Sequence, residues 1–100
     1  MDKYKVLVSP KTYRELDSIY EYVKTEFKDH QIALEIVNLI EENILKLEIF
    51  PHRGSIRKVG IYANKQYRQI FIKNYTIIYR IDEENKDVII ITIRYSSSNF

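Results

Sequence analysis

Cysteine is absent from the 100 residues, and the sequence contains only two prolines and two glycines. Without cysteine, neither disulfide bonds nor a thiolate metal site can stabilise the fold. The N-terminal segment has no apolar run of signal-peptide or membrane-span length, because its first one, Val6–Val8, ends at Ser9 and Pro10. We therefore expect a cytoplasmic protein without a membrane partner, folded as a single domain over residues 1–100.

Acidic residues are scarce in the second half of the chain. The net charge is −3 over residues 1–50 and +5 over residues 51–100. The segment Phe50–Gln66 contains no acid, holds both glycines, and carries His52, Arg53, Arg57, Lys58 and Lys65. This polarity favours an anionic partner for the C-terminal half, such as RNA, DNA or an acidic protein. The alternative is that these cations only solvate one face of a sheet.

Two amphipathic helices are predicted in the first half. Ser9 is a suitable N-cap and Pro10 a suitable first helical residue, while Asp29 is the next plausible cap. Apolar residues then recur at spacings of three and four, which is the pattern of a helix with one buried face. The first stripe is Tyr13, Leu16, Tyr20, Val23 and Phe27, and the second is Ala33, Ile36, Val37, Ile40, Ile44 and Leu47. The short connection at Lys28–His30 predicts an antiparallel helical hairpin.

Four segments have the apolar, β-branched character of strands: Tyr4–Val8, Tyr67–Ile72, Tyr75–Asp82 and Val88–Tyr95. The predicted fold is α+β, in the order β-α-α-β-β-β, with an antiparallel sheet packed against the N-terminal helical hairpin. Residue alternation turns Tyr75, Ile77, Tyr79 and Ile81 toward the helices. The last strand is apolar on both faces and is expected to be central. The polar tail that follows it, "SSSNF", is expected to be loosely held.

Several stretches occur in an order that resembles a known group of proteins: "VSPKTYRELDSIYEYV", "IEENILKLEIFPHRG", "YRQIFIKNYTIIYRID" and "VIIITIRYSS". From Tyr4 to Ser97 the chain is similar to the RelE/ParE superfamily of bacterial type II toxin–antitoxin toxins. The resemblance implies a concave basic face, no cofactor and no metal. It also implies a cognate antitoxin that binds the toxin tightly and neutralises it, with operator DNA bound only through that antitoxin.

The superfamily contains two kinds of toxin. RelE-like members cleave messenger RNA on the ribosome, whereas ParE-like members poison DNA gyrase. By resemblance, Arg68 stands where many of the nucleases place a phosphate-binding arginine, and Arg57 and Lys58 lie in the loop that supplies cations or a base. Thr76, however, stands where some of the nucleases carry an arginine, and Ser96 and Ser97 stand where some carry histidine or tyrosine. The usual proton-transfer groups are therefore not clearly present.

Candidate site residues follow from this resemblance and from the basic pattern. If the protein is a nuclease, the catalytic candidates are Arg68, Lys58, His52 and Tyr95. The candidates for phosphate or target binding are Arg57, Lys58, Arg68, Arg80 and Arg94. A structural alternative for Arg68 is an ion pair with a helical acid such as Glu48.

Three functional hypotheses follow. The first is a ParE-like toxin that poisons DNA gyrase by binding. The second is a ribosome-dependent messenger RNA endonuclease that acts through the 2′-hydroxyl without a metal. The third is a degenerate toxin that serves only as a corepressor together with its antitoxin.

Overall fold

The computed structural model describes residues 3–63, 66–98 and 100, so Lys65 of the predicted basic loop lies outside the described residues. Two helices and five strands form the framework, and short 3-10 turns occupy Lys46–Glu48, Pro51–Arg53 and Gly60–Tyr62. The elements are β1 (Lys5–Val8), α1 (Pro10–Phe27), α2 (His30–Leu45), β2 (Ser55–Ile56), β3 (Arg68–Ile72), β4 (Tyr75–Asp82) and β5 (Asp87–Tyr95). No helix in the described part of the chain is both long and apolar enough to cross a membrane.

The five strands form one sheet in the order β1-β5-β4-β3-β2. The predicted α+β class and the helical hairpin are confirmed. The sheet is mixed, however, because β1 runs parallel to β5 while the other neighbours are antiparallel. The connection from β1 to β5 contains both helices and strands β2 to β4, so it is long enough for the two strands to run parallel. The predicted central position of the last strand is also correct, because β5 lies between β1 and β4.

The prediction missed strand β2, which lies inside the segment expected to be a loop. Ser55 pairs with Gln69 and Ile56 pairs with Arg68, so two residues extend the sheet beyond β3. A two-residue strand leaves no detectable alternation in the sequence. Its effect is to hold the basic loop against the edge of the sheet.

The helix boundaries follow the predicted caps. The Ser9 hydroxyl accepts a hydrogen bond from the Thr12 amide at 3.3 Å, and the Asp29 carboxylate accepts one from the Gln31 amide at 2.9 Å. Between the helices, Lys28 adopts a left-handed conformation with φ of 52°. The chain therefore reverses within two residues, as the short connection predicted.

The predicted buried stripe of α1 is partly wrong. Tyr13 and Phe27 are more than half exposed. The buried residues of α1 are Thr12, Leu16, Ile19 and Val23. Thr12 can be buried because its hydroxyl lies 3.2 Å from that of Ser9, which leaves its polar atom satisfied. On α2 the predicted residues Ala33, Ile40 and Ile44 are buried, and Leu47 is buried in the turn that follows.

The central strand β4 is buried on both faces. Tyr75, Ile77 and Tyr79 join the core beneath the helices, as predicted. Thr76 and Ile78 alternate with them and therefore point to the opposite face, yet both are almost completely buried. The face turned away from the helices is thus covered in its middle by other parts of the chain.

Candidate functional site

The predicted basic residues separate into two groups. We call the first the Arg57 cluster, made of Arg57, Gln69, Arg94 and Phe100. The second group lines a cleft of about 430 Å³, which we call the Arg68 cleft. The residues that line it are His52, Ile56, Gln66, Arg68, Arg80, Ile81 and Glu83. Gln69 and Arg68 are adjacent on β3, so their side chains point to opposite faces of the sheet.

Arg57 is buried, and each of its three side-chain nitrogens donates a hydrogen bond. Its Nε donates to the carbonyl oxygen of Val59 at 3.0 Å. Its Nη1 donates to Oε1 of Gln69 at 2.8 Å, and its Nη2 donates to the carbonyl oxygen of Phe100 at 2.9 Å. Each nitrogen of the guanidinium thus has a protein acceptor, which compensates for the loss of water around a buried charge.

Phe100 packs between two arginines. The Arg57 guanidinium lies 4.4 Å from the centroid of the Phe100 ring, and that of Arg94 lies 5.7 Å from it, which are cation–π distances. The ring is buried, so the expectation of a loosely held tail is wrong for Phe100, whereas Ser96, Ser97 and Ser98 are exposed. Its anchor, Arg57, lies 43 positions earlier in the chain. The polar residues beside Phe100 therefore gave no sign of the contact.

Gly60 lets the tail approach the loop. Its φ is +76°, a conformation that favours glycine, and a Cβ at this position would collide with the carbonyl oxygen of Phe100. The backbone of the loop and the backbone of the tail are therefore in direct contact. This explains one of the two glycines in the basic loop.

Arg94 is held by an acid that the sequence analysis did not single out. The Glu15 carboxylate on α1 accepts hydrogen bonds from the Thr92 hydroxyl at 2.6 Å and from the Ile93 amide at 3.0 Å. It also lies 3.9 Å from Nε of Arg94. Glu15 reaches β5 where this strand extends beyond its pairing with β1, which ends at Ile90. The sequence pattern placed Glu15 outside the apolar stripe and so suggested only solvent exposure.

Arg68 anchors the loop before β2. Its Nη1 donates to the carbonyl oxygens of Gly54 at 2.7 Å and of His52 at 3.4 Å. Its proposed partner Glu48 instead lies 3.7 Å from Lys3. Arg68 thus has a structural role beside any role in binding, and it remains partly exposed in the cleft.

Tyr79 binds the backbone of the same loop from the core. Its hydroxyl donates to the carbonyl oxygen of Pro51 at 2.7 Å and accepts from the Gly54 amide at 3.0 Å. Burial raises the pKa of Tyr79 above its ordinary value, so the hydroxyl stays neutral and keeps its proton for Pro51. A core side chain therefore positions the backbone that Arg68 also binds.

The Arg68 cleft contains a paired imidazole and carboxylate. Nε2 of His52 lies 2.8 Å from Oε1 of Glu83, and the Tyr4 hydroxyl donates to Oε2 of Glu83 at 3.0 Å. These hydrogen bonds, first from Tyr4 and then from His52, hold the pKa of Glu83 below its ordinary value. Both His52 and Glu83 remain more than half exposed. The cleft therefore combines an ionised carboxylate and an imidazole with the guanidiniums of Arg68 and Arg80.

Comparison with known proteins identifies the family of this chain. Residues 6–100 match the family described as the ParE toxin of type II toxin–antitoxin systems. The chain belongs to the ParE toxin family. The predicted membership of the RelE/ParE superfamily is thereby confirmed. No curated protein matches the sequence.

Two solved structures have a similar fold. One is a chromosomal ParDE toxin–antitoxin system from P. aeruginosa, with a TM-score of 0.76 and 19% identity over 93% of this chain and 96% of the other. The second is the RelBE2 toxin–antitoxin complex from Mycobacterium tuberculosis, with a TM-score of 0.64 and 20% identity over 98% and 97%. At these identities the likeness establishes the fold.

The four catalytic candidates do not converge in this ParE toxin. Arg68 and His52 share the cleft. Tyr95 packs against Tyr75, with ring centroids 5.8 Å apart. In the sheet, Tyr95 pairs with Tyr75 and Arg68 pairs with Tyr79. Tyr75 and Tyr79 are four residues apart on β4, so Tyr95 and Arg68 are separated by about 13 Å along the strand direction. Lys58 is exposed on the loop.

Two hydroxyls lie close together at the end of the sheet beyond the Arg57 cluster. The hydroxyls of Thr76 and Ser96 lie 2.8 Å apart and share a hydrogen bond. An alcohol is a poor proton shuttle near neutral pH, so this pair cannot replace a histidine or an ionisable phenol. Among the residues described, no group of three or more histidine, cysteine or acidic side chains is arranged to hold a metal ion.

Proposed function

We propose that this ParE toxin inhibits DNA gyrase by binding to it and that a cognate antitoxin neutralises it. The observation that carries this proposal is the match to the ParE toxin family over residues 6–100. The hydrogen bonds that Arg57 and Arg68 make within the protein support it. The nitrogens of Arg57 already have protein acceptors, and Arg68 binds carbonyl oxygens, so both arginines act first in positioning the loop.

The exposed cations of the basic loop and of β4 are suited to docking. Arg53, Lys58 and Arg80 are exposed on the loop and on β4. Positive charge on a surface accelerates association with an acidic partner and favours the correct orientation. Removal of these charges should therefore weaken binding and slow association, with no chemical step involved.

An antitoxin would cover an apolar groove at the far end of the molecule. Tyr22 and Phe27 of α1 and Tyr75 and Tyr95 of the sheet line this groove, which has a volume of about 560 Å³. Glu26, Glu35 and Lys73 also border it, so the apolar side of an antitoxin segment is the part suited to it. Tyr22, Phe27 and Tyr95 are each about half exposed. Both similar structures are of toxin–antitoxin systems. We propose that an acidic, amphipathic C-terminal segment of the antitoxin lies across the helical hairpin and this groove, and that operator DNA is bound only through the antitoxin.

A supercoiling assay tests the gyrase target. Purified protein without antitoxin is titrated against gyrase on relaxed plasmid, and inhibition is expected. Arg80→Ala should weaken inhibition, whereas Arg14→Ala, a change at another exposed arginine that lies on α1, should not. Full gyrase activity at a large excess of the folded wild-type protein would refute the proposal. A loss with Arg14→Ala alone would instead indicate docking through the helical hairpin.

A second candidate function is cleavage of messenger RNA on the ribosome. The contact between His52 and Glu83 favours it, because a carboxylate that orients an imidazole is a common general-base arrangement. Arg68 and Arg80 border the same cleft and would face the phosphate. Purified ribosomes with a defined transcript test this candidate: wild-type protein should cut the transcript, and His52→Ala and Arg68→Ala should not. An intact transcript at excess toxin excludes it.

Metabolic labelling separates the two candidates in cells. After induction without antitoxin, gyrase inhibition should stop thymidine incorporation first and produce filamentous cells. An endoribonuclease should stop methionine incorporation first and leave broken transcripts. The same arginines would be docking residues in the first case and phosphate ligands in the second.

A further inference from the structure

The tail contacts the face of the sheet turned away from the helices, since the Ser96 hydroxyl lies 2.8 Å from that of Thr76. Thr76 and Ile78 are almost completely buried although α1 and α2 pack on the opposite side. Arg94 pairs with Thr76 and therefore shares this face, and the Phe100 ring lies between Arg94 and Arg57. The cationic face that the sequence predicted is thus occupied by a residue of the same chain.

The tail is attached at a few points only. The Ser96 amide donates to the carbonyl oxygen of Asn74 at 2.7 Å, and the Ser98 amide closes a local turn onto Tyr95 at 2.9 Å. Ser96, Ser97 and Ser98 are exposed. Among the described residues beyond Ser96, the long-range hydrogen bond and ring contacts belong to Phe100. Release of one aromatic residue would therefore free the end of the tail without breaking the pairing of β5.

We propose that Phe100, with Ser96–Ser98 before it, forms a detachable latch over the Arg57 cluster. When the latch is closed, Phe100 supplies a π face and a carbonyl acceptor to Arg57 and a π face to Arg94. When it opens, these two guanidiniums lose those partners and face solvent. A buried cation deprived of its acceptor attracts a new one, and the carboxylates of an acidic protein surface supply it. The latch is therefore autoinhibitory: the target gains its full contact with the toxin only after Phe100 has moved.

The opening itself can be measured without any target. Phenylglyoxal modifies exposed arginines, and peptide mass spectrometry resolves the rate at each position. Phe100→Ala should accelerate modification of Arg57 by about tenfold or more, because the closed state no longer protects it. Arg80, which is already exposed, is the internal reference. Phe71→Ala, which removes an exposed ring from the same face, is the matched control, and Phe100→Tyr should restore protection. Equal rates at Arg57 in wild type and Phe100→Ala would overturn the latch.

A second variant opens the latch while keeping Phe100. In Gly60→Ala the added Cβ collides with the Phe100 carbonyl and should displace the tail, so it should also accelerate modification of Arg57. Circular dichroism and thermal unfolding show whether each variant retains the fold. Accelerated modification in a folded Gly60→Ala protein supports the latch. Protection of Arg57 that persists in that folded protein contradicts it.

The inhibitory part of the inference rests on the proposed function and needs a functional readout. Phe100→Ala should inhibit gyrase at a severalfold lower concentration than wild type. Inhibition that becomes weaker, or that stays the same while Arg57 is exposed, would overturn autoinhibition. If neither protein inhibits gyrase, the gyrase target fails, and growth arrest at equal protein levels then decides about the latch. Stronger arrest by Phe100→Ala supports it, and equal or weaker arrest overturns it.

Discussion

Arg57 and Arg68 belong to segments that pair with each other at the edge of the sheet, yet their surroundings differ sharply. Arg57 is buried under an aromatic ring and donates to three acceptors. Arg68 lies at an open cleft and uses one nitrogen to hold the loop backbone. The comparison shows that the number of cations on a strand does not determine the charge available to a partner. The acceptors that the fold brings to each cation do.

The largest expected difference between the two regions is in stability. Arg57→Ala should lower the free energy of unfolding by about 3 kcal/mol, because a buried charged donor with several acceptors is removed. Arg80→Ala, at an exposed arginine of the Arg68 cleft, should cost less than about 0.5 kcal/mol. Chemical denaturation of both variants measures this difference. Equal losses would mean that the Arg57 cluster does not stabilise the fold.

Tyr79→Phe tests how the loop of the Arg68 cleft is held. The change leaves the carbonyl oxygen of Pro51 and the amide of Gly54 without their buried partner, which should cost about 2 kcal/mol. Tyr75→Phe is the matched control, since it removes a hydroxyl from the same strand and the same face, and should cost about 0.5 kcal/mol or less. Thermal unfolding compares the two variants, and identical midpoints would contradict the role of Tyr79.

Arg68→Ala should lower the stability less than Arg57→Ala or Tyr79→Phe does. Its guanidinium is partly exposed, so loss of its bond to Gly54 should cost about 1 kcal/mol. Hydrogen exchange of the loop amides should then increase before global stability falls. If exchange in residues 52–56 is unchanged, Tyr79 and strand β2 alone hold the loop.

The smallest expected effect is a dependence of stability on pH through Glu83. Hydrogen bonds from Tyr4 and His52 lower the pKa of Glu83 below its ordinary value of 4.5. The contribution of ionised Glu83 to the stability of the fold is thus fully present above that value. It is lost as the pH falls through the lowered pKa of the folded state. Unfolding midpoints of wild type and Glu83→Gln should therefore converge as the pH falls below about 4. Midpoints that stay equally far apart at every pH would contradict this assignment.

Local patterns predicted the framework well. Ser9, Pro10 and Asp29 marked the helix starts because capping depends on adjacent residues. The face of α1 was less predictable, since Tyr13 and Thr12 belong to overlapping stripes with helical spacing. Which stripe is buried depends on how the hairpin sits on the sheet, and the burial of Thr12 depends on its contact with Ser9.

The candidate site was only partly predictable for a related reason. Composition identified the arginines, and Arg68, Arg80 and His52 do share a cleft. The partners that define each environment are far away in sequence: Glu83 is 31 residues from His52, and Phe100 is 43 residues from Arg57. Glu15 lies still farther from Thr92, at 77 residues. No local spacing rule connects such positions.

The insertion of β5 between β1 and β4 has a consequence for synthesis. Strand β5 lies between two strands that precede it in the chain, and its parallel pairing with β1 joins residues about 82 positions apart, such as Lys5 and Asp87. Contacts of such long range form late in folding. A nascent chain that has not yet released β5 from the ribosome therefore cannot form this sheet, the Arg57 cluster or the groove at Tyr95.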